Sequence, residues 1–352
     1  MRYRILFLLV MLCTAATAQD ALFSQYYNSP VYLNPALAGC GKSNMRLSAA
    51  AKMQWINLNQ PFKYITGAAD LSVYDDYLRN VCNLGLIANH SRKGALQNTN
   101  ISGIVGRNFG TSNETCSNWF LSLALQAGFN FSSVNRDALL FADQIDQNGI
   151  TGDPSQIDLF RGSDNTNKTY FDMGSGFVFT FRDFMIGGSV HHINQPEVSF
   201  KGASVNSKLP RKYTGHFGWV YDNGDIKFKP TIIAEFQGKS SVLITGLLFD
   251  FNNFPVELGA WYRNNTSLSY NSAFTIGFNW KFRSTRMINT NSYEYMSKLG
   301  LSYDAEVYKP GVTTTHGSME LGYQKDIIIN NDLKCPTATS GQCGYRFPWE
   351  FF

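Results

Sequence analysis

The chain has 352 residues, of which 44% are hydrophobic and only 16% charged, with a formal net charge of +4. A charged share this far below the usual ~25% suits a molecule whose exposed surface faces something less polar than water. Basic residues are scattered, nowhere denser than Arg92-Lys93 and Arg211-Lys212. That pattern excludes a nucleic-acid partner.

The first eighteen residues read as a secretory signal. Arg2 and Arg4 form a basic start, Ile5 to Leu12 an unbroken apolar run, and Ala16-Thr17-Ala18 a small-residue cleavage site, so the mature chain begins at Gln19. Cys13 does not make this a lipoprotein signal, because Leu12 stands where the lipoprotein peptidase needs a small residue. Downstream no apolar run approaches the ~20 residues a transmembrane helix requires. A helical membrane protein is therefore excluded. Mean hydropathy of -0.19 does not exclude a membrane barrel, because in such a barrel each lipid-facing residue alternates with a lumen-facing one.

Residues 19–44 carry no strand period. They contain Phe23, Tyr26, Tyr27, Val31, Tyr32 and Leu33, followed by Asn34-Pro35-Ala36. The segment is too apolar to hang free and ends where the first strand begins, so it is expected to plug the lumen. Asn34 would hydrogen-bond a turn fixed by Pro35. Gly39-Cys-Gly-Lys-Ser43 is no phosphate loop, because Ala36 stands where its first glycine should be and a strand, not a helix, follows.

From Met45 onward, strict period-two alternation recurs. Met45, Leu47, Ala49, Ala51, Met53 and Trp55 interleave with Arg46, Ser48, Lys52 and Gln54, and Phe274, Ile276, Phe278, Trp280 and Phe282 interleave with Thr275, Asn279 and Lys281. The predicted strands are 45–57, 61–74, 81–93, 97–109, 117–132, 169–182, 184–195, 211–222, 226–237, 240–251, 255–263, 271–283, 296–305 and 315–329. About fourteen strands, each near the ~10 residues a tilted membrane strand needs, make an all-β transmembrane antiparallel barrel over 45–329, its even count returning both termini to one side. A soluble sandwich is the competing fold, but its surface could not be so uniformly rich in Phe. Trp55, Tyr74, Trp119, Trp219, Tyr221, Trp261, Tyr262 and Trp280 near strand ends suit the interfacial girdles.

One connection, from Phe141 to Lys168, is far longer than a hairpin turn. Its Asp143, Asp146, Asn148, Asp153 and Asp158 form a candidate partner-binding loop, since long loops of such barrels face the extracellular side. Their spacing does not match a calcium loop. Residues 330–352 form a tail in which Cys335 and Cys343 are expected to bridge; Cys40 would stay free or bind a partner, and the pairing of Cys82 and Cys116 is left open.

Catalytic patterns are missing. His191-His192 follow each other on a predicted strand and would face opposite sides. Asp172, Glu235, Glu257 and Glu320 read as lumen carboxylates paired with lumen Lys and Arg. No Gly-x-Ser-x-Gly, His-Glu-x-x-His or Cys-x-x-C pattern occurs, so the sequence points to no enzyme, cofactor or metal site.

Phe23-Ser-Gln-Tyr-Tyr with Leu33-Asn-Pro-Ala-Leu-Ala-Gly39 resembles the N-terminal hallmark of the PorP/SprF outer-membrane proteins. Further blocks are similar to that family and stand in its order: Phe141-Ala-Asp-Gln-Ile145, Phe171-Asp-Met-Gly-Ser-Gly176, Gly187-Gly-Ser-Val-His-His-Ile-Asn-Gln-Pro196, Leu209-Pro-Arg-Lys-Tyr213, Leu258-Gly-Ala-Trp-Tyr-Arg263, Gly300-Leu-Ser-Tyr-Asp304 and Gly317-Ser-Met-Glu320. Cys40 and the extension through Cys343 to Phe352 depart from the pattern. The resemblance implies an outer-membrane barrel of the Bacteroidetes type IX secretion system, serving the export or surface attachment of adhesins or gliding proteins. Implied partners are a secreted protein with a type B C-terminal domain and a periplasmic, peptidoglycan-associated lipoprotein of OmpA type, besides outer-membrane lipid. Asn34-Pro35-Ala36 also resembles the hatch of FadL-like transporters, which would imply passage of hydrophobic small molecules.

Overall fold

The computed structural model describes residues 20, 22–41, 45–74, 80–110, 119–135, 138–146, 149–150, 155–156, 166–200, 207–265, 272–288, 291–307, 312–327 and 348–351. The expected signal over 1–18 and residues Cys116, Asn148, Asp153, Asp158, Cys335 and Cys343 lie outside the described residues.

The strands are β1 (Met45–Gln54), β2 (Phe62–Tyr74), β3 (Asn80–Lys93), β4 (Leu96–Phe109), β5 (Trp119–Val134), the two-residue β6 (Ile145–Asp146) and β7 (Gly149–Ile150), β8 (Asn167–Phe181), β9 (Phe184–His191), β10 (Lys212–Trp219), β11 (Tyr221–Asp222), β12 (Ile226–Gln237), β13 (Ser240–Phe251), β14 (Val256–Asn265), β15 (Ala273–Ile288), β16 (Asn291–Glu306) and β17 (Ser318–Ile327). Apart from the small β6–β7 hairpin, they form one antiparallel ring. Each strand pairs with its sequence neighbour, and β1 pairs with β17 to close it. Both β10 and β11 pair with β12 in the same register, so they are one barrel strand interrupted at Val220. The ladder breaks beside Pro230, which has no N–H to give. Counting β10 and β11 together, the ring has 14 strands.

Alternation decides which side chains face in. On β1, Arg46, Ser48, Ala50 and Lys52 are buried while Ala49, Ala51 and Met53 face out. Outward residues near mid-height include Leu125, Ile276 and Leu301, the second of them 72% exposed. Ten such side chains facing water would forgo roughly 15–30 kcal/mol of burial, more than the ~5–15 kcal/mol by which a domain is stable. The wall is therefore built for lipid, and no helix among the described residues is long and apolar enough to cross a membrane.

The strand ends depart furthest from the sequence expectation in two places. β9 stops at His191, four residues early, because His192 and Gln195 adopt φ of 57° and 44° and turn the chain over the rim. The β15–β16 hairpin extends to Ile288 and Asn291, beyond the expected 283 and 296. Trp261 is a correction to the girdle: it is 3% exposed and faces the lumen.

Both ends of the ring, the start of β1 and the end of β17, lie on one rim. The C-terminal turn Pro348–Phe351 returns to that side, where Phe351 is buried near Met185 and Gly218. The long connections 135–166 and 192–211 emerge from the opposite rim.

Candidate functional site

Residues 22–41 run through the lumen, nearly all of them buried. Asp20 lies at the rim opposite the barrel termini, against His192 and Gln237, and Cys40 lies at the terminal rim, near Asn108. The segment folds as three short turns, Tyr26–Asn28, Pro30–Leu33 and Pro35–Leu37. Proline opens the second and third, where its missing N–H costs nothing.

The upper half of the segment is held by charge. Ser24 and Gln25 donate their backbone N–H groups to the two Glu320 oxygens at 2.7 and 2.8 Å. Gln25 also reaches Ser302 Oγ and Glu320 O, and Ser24 Oγ donates to Asp304. Lys52 Nζ donates to Asp304 at 2.7 Å, to Ser24 Oγ and to Leu22 O, while Arg263 lies 3.4 Å from the same Asp304 oxygen. Next to this cluster Tyr27 stacks on Trp261 with centroids 5.3 Å apart, and the indole N–H donates to Tyr26. Phe23 packs edge-on against Tyr32 at 4.9 Å.

The lower half is held by hydrogen bonds, by close approach and by one ion pair. Asn34 Oδ1 accepts from Ala36 N at 2.9 Å, so the side chain caps the turn that Pro35 opens. Its Nδ2 donates to Phe177 O and Gly188 O on β8 and β9, with His216 Nε2 3.0 Å away. A Cβ on Gly176 would stand 2.0 Å from Asn34 Oδ1, so no larger residue fits there. Ala36 O accepts from Ser122 Oγ, and Leu33 O from Ser189 Oγ. Arg46 pairs with Asp70 at 3.0 Å and donates to Leu37 O; Asp70 in turn accepts from Gly39 N at 2.7 Å. Gly39 has φ of 69°, which a side chain would strain, and sits against Asn83 and Ser72.

His191 and His192 are a correction. Both border one cavity, with rings 6.5 Å apart, because the positive φ at His192 breaks the alternation that would have separated them. Asp172, expected to pair with Lys or Arg, pairs instead with His192 Nδ1 at 2.8 Å, and Asp20 takes the other nitrogen at 2.9 Å. Burial alone would lower the His192 pKa, but these two carboxylates hold it at about 10. Burial acts to raise the Asp20 pKa, yet His192 holds that carboxyl well below the usual range. Glu257 pairs with Lys298 at 2.9 Å and Glu235 with Lys212 at 3.3 Å. No group of His, Cys, Asp and Glu among the described residues is arranged to hold a metal.

In the long connection, Asp143 accepts from Ser155 Oγ and Gln156 N, and Asp146 is exposed on the β6–β7 hairpin. Cys40 is a buried thiol donating to Ala36 O, and Cys82 is free.

The blocks that carried the family resemblance thus meet in space: Phe23 to Tyr27 on Glu320, Asp304 and Trp261, and Asn34 on the β8–β9 pair that holds Gly176 and Gly188. A family model described as type IX secretion system membrane protein PorP/SprF matches residues 15–323. The chain belongs to the PorP/SprF family. It is an outer-membrane barrel of the type IX secretion system, and membership implies contact with other components of that machinery. No curated protein matches significantly. Among solved structures, a monoaromatic hydrocarbon channel, CymD, is similar at 10% identity and TM-score 0.46, covering 88% of this chain and 94% of its own. A deletion mutant of the TodX monoaromatic hydrocarbon channel gives 10% and 0.43, covering 85% and 92%. Omp33 of Acinetobacter baumannii gives 9% and 0.40, covering 81% and 98%. All three TM-scores are below 0.5.

Proposed function

We propose that this barrel serves the export, the surface attachment or both of a secreted, adhesin-like or gliding protein carrying a type B C-terminal domain. The partner docks on the rim that bears the connections 135–166 and 192–211, with Asp143, Asp146, Asn148, Asp153 and Asp158 on the longer one. Residues 1–18 direct export and are removed. Residues 19–44 then seal the lumen, which a ring of 14 strands is too wide to fill with its own side chains. The terminal rim faces the periplasm, where an OmpA-type, peptidoglycan-associated lipoprotein meets it. The observation that carries this reading is the family match together with a lumen occupied along its length by residues 22–41, an arrangement suited to holding a protein and not to passing a solute.

One feature favours the second reading, a FadL-like transporter of hydrophobic molecules. An apolar depression of about 910 Å³ lies on the outer wall over Gly106, Gly176, Gly188 and Gly215, with Asn34 directly behind it. Replacing residues 144–165 by a short Gly-Ser turn decides between them. Secretion predicts a normally assembled barrel with the secreted partner lost to the medium or trapped in the periplasm. Unchanged surface display together with reduced uptake of hydrophobic compounds would establish the transporter instead.

A further inference from the structure

On the outer wall, outward side chains form rows that run from strand to strand along the ladder bonds. One row is Arg107, Leu123, Phe177, Gly188, Gly215 and Ala234, each the register partner of the next on β4, β5, β8, β9, β10 and β12. Its last three members are small. The rows on either side are not, with Ile186 and Phe217 flanking it toward the terminal rim and Val190 and Tyr213 toward the other. A Cβ on Gly215 would meet nothing within 4 Å, and one on Gly188 would stand 2.9 Å from the Phe177 ring, which leans over it. The missing side chains leave the apolar groove of about 910 Å³, bordered by Arg107 and Phe109 at one end and by Tyr213 and Phe236 at the other.

The groove has a charged end. Arg107 is exposed on the outer face, two residues before the end of β4 at the terminal rim. Its guanidinium lies 5.6 Å from the centre of the Phe109 ring, and no carboxylate among the described residues pairs with it. An arginine on a lipid-facing wall is unfavourable unless its long side chain carries the head to the interface. At that rim Trp119 opens β5 and faces out, as a ring at headgroup level does. From Arg107 the row climbs across five strand spacings of ~4.8 Å to Ala234, roughly 24 Å, about the length of a long extended acyl chain. The β8–β9–β10 ladder is continuous behind it, so a chain lying there stays on the lipid side of the wall. A planar cation at the end of an apolar groove is the complement of a phosphate carrying a hydrocarbon chain.

From this we infer that the groove holds one phospholipid, its phosphate on Arg107 and one acyl chain along Gly188, Gly215 and Ala234. The terminal rim carries the short turns 182–183, 223–225 and 252–255, the kind that face the periplasm, so the lipid belongs to the periplasmic leaflet, where phospholipid and not lipid A is found. The site rests on the outer-membrane location and is tested without any protein partner; only its leaflet depends on the terminal rim facing the periplasm.

The test titrates the mature full-length chain in detergent with phosphatidylethanolamine and counts bound lipid by native mass spectrometry. One saturable phospholipid per barrel is expected, and diacylglycerol with the same chains, which lacks the phosphate, should bind about tenfold more weakly. Arg107→Gln removes the anchor and Gly215→Leu fills the groove, and each should weaken phospholipid binding about tenfold, whereas Arg107→Lys, which keeps a phosphate-binding charge, should retain most of it. Both positions face out, away from the lumen contacts, and retained heat-modifiable mobility separates loss of binding from loss of fold. Binding that does not saturate, equal binding of diacylglycerol, or affinity unchanged in either Arg107→Gln or Gly215→Leu would overturn the inference. So would tighter binding of lipid A or of a free fatty acid, or a photoreactive residue at position 215 that captures a protein and not lipid in intact cells.

Discussion

Lys52 holds several oxygens at once, reaching Asp304, Ser24 and the Leu22 carbonyl, with Glu320 3.7 Å away. Removing one member of a buried ion pair leaves the other uncompensated, at about 3–5 kcal/mol. Lys52→Met should therefore loosen residues 22–25 while the wall, whose ladder bonds it does not touch, stays closed. Chymotrypsin should then cut at Phe23 or Tyr26 in folded, heat-modifiable protein; continued protection would show that the cluster does not hold the segment. His192 makes the matching contact at the upper end. Its pKa is about 10 in the fold against an ordinary 6.5, so its contribution is complete below 6.5 and is lost as pH rises through about 10. Access of chymotrypsin to Phe23 should rise across that window in the native chain. In His192→Gln it should be high throughout, and identical profiles for both would show that the Asp20–His192 pair does not hold the segment.

The strands were legible because period two is a local property: for β12 and β13 the sequence and the structure agree at both ends. Where they disagree, at His192 and Gln195, a positive φ decided the course of the chain, and neither residue type announces one. Residues 22–41 stood out in the sequence as a segment without a period, but their contacts did not. Nothing in the spacing says that Ser24 meets Glu320 across 296 residues, or that Asn34 meets Phe177 and Gly188. Trp261 looked like a girdle residue for the same reason, since facing in or out depends on a register that one strand alone does not fix. The Asn34 socket gives an element-scale prediction. Gly176→Ala places a methyl where Asn34 Oδ1 now lies, and Asn34→Ala deletes the bonds to β8 and β9, at about 1–3 kcal/mol for the buried groups left over. Both variants, and deletion of residues 20–41 to a greater degree, should raise single-channel conductance in planar bilayers. Unchanged conductance in the deletion would mean that the segment is not what blocks the lumen.

At the scale of the whole molecule, the two faces of the wall have exchanged the usual roles, with ion pairs such as Arg46–Asp70 inside and Phe, Leu and Ile outside. This inversion is stable only if the outside is lipid. Ile276 pairs with Ala260, at mid-height of β14, and its side chain points straight out. Replacing it by lysine would be nearly neutral on a water-exposed surface, within about 0.5 kcal/mol. At a bilayer midplane it should cost about 2–4 kcal/mol. A lysine at Val307, 54% exposed just beyond the end of β16, should cost about 1 kcal/mol or less near the interface. Reversible urea unfolding of the native chain, Ile276→Lys and Val307→Lys in lipid vesicles measures both differences. A large penalty at Ile276 beside a small one at Val307 locates the membrane on the strands, and equal, small penalties would mean that the apolar outer face is covered by something other than lipid.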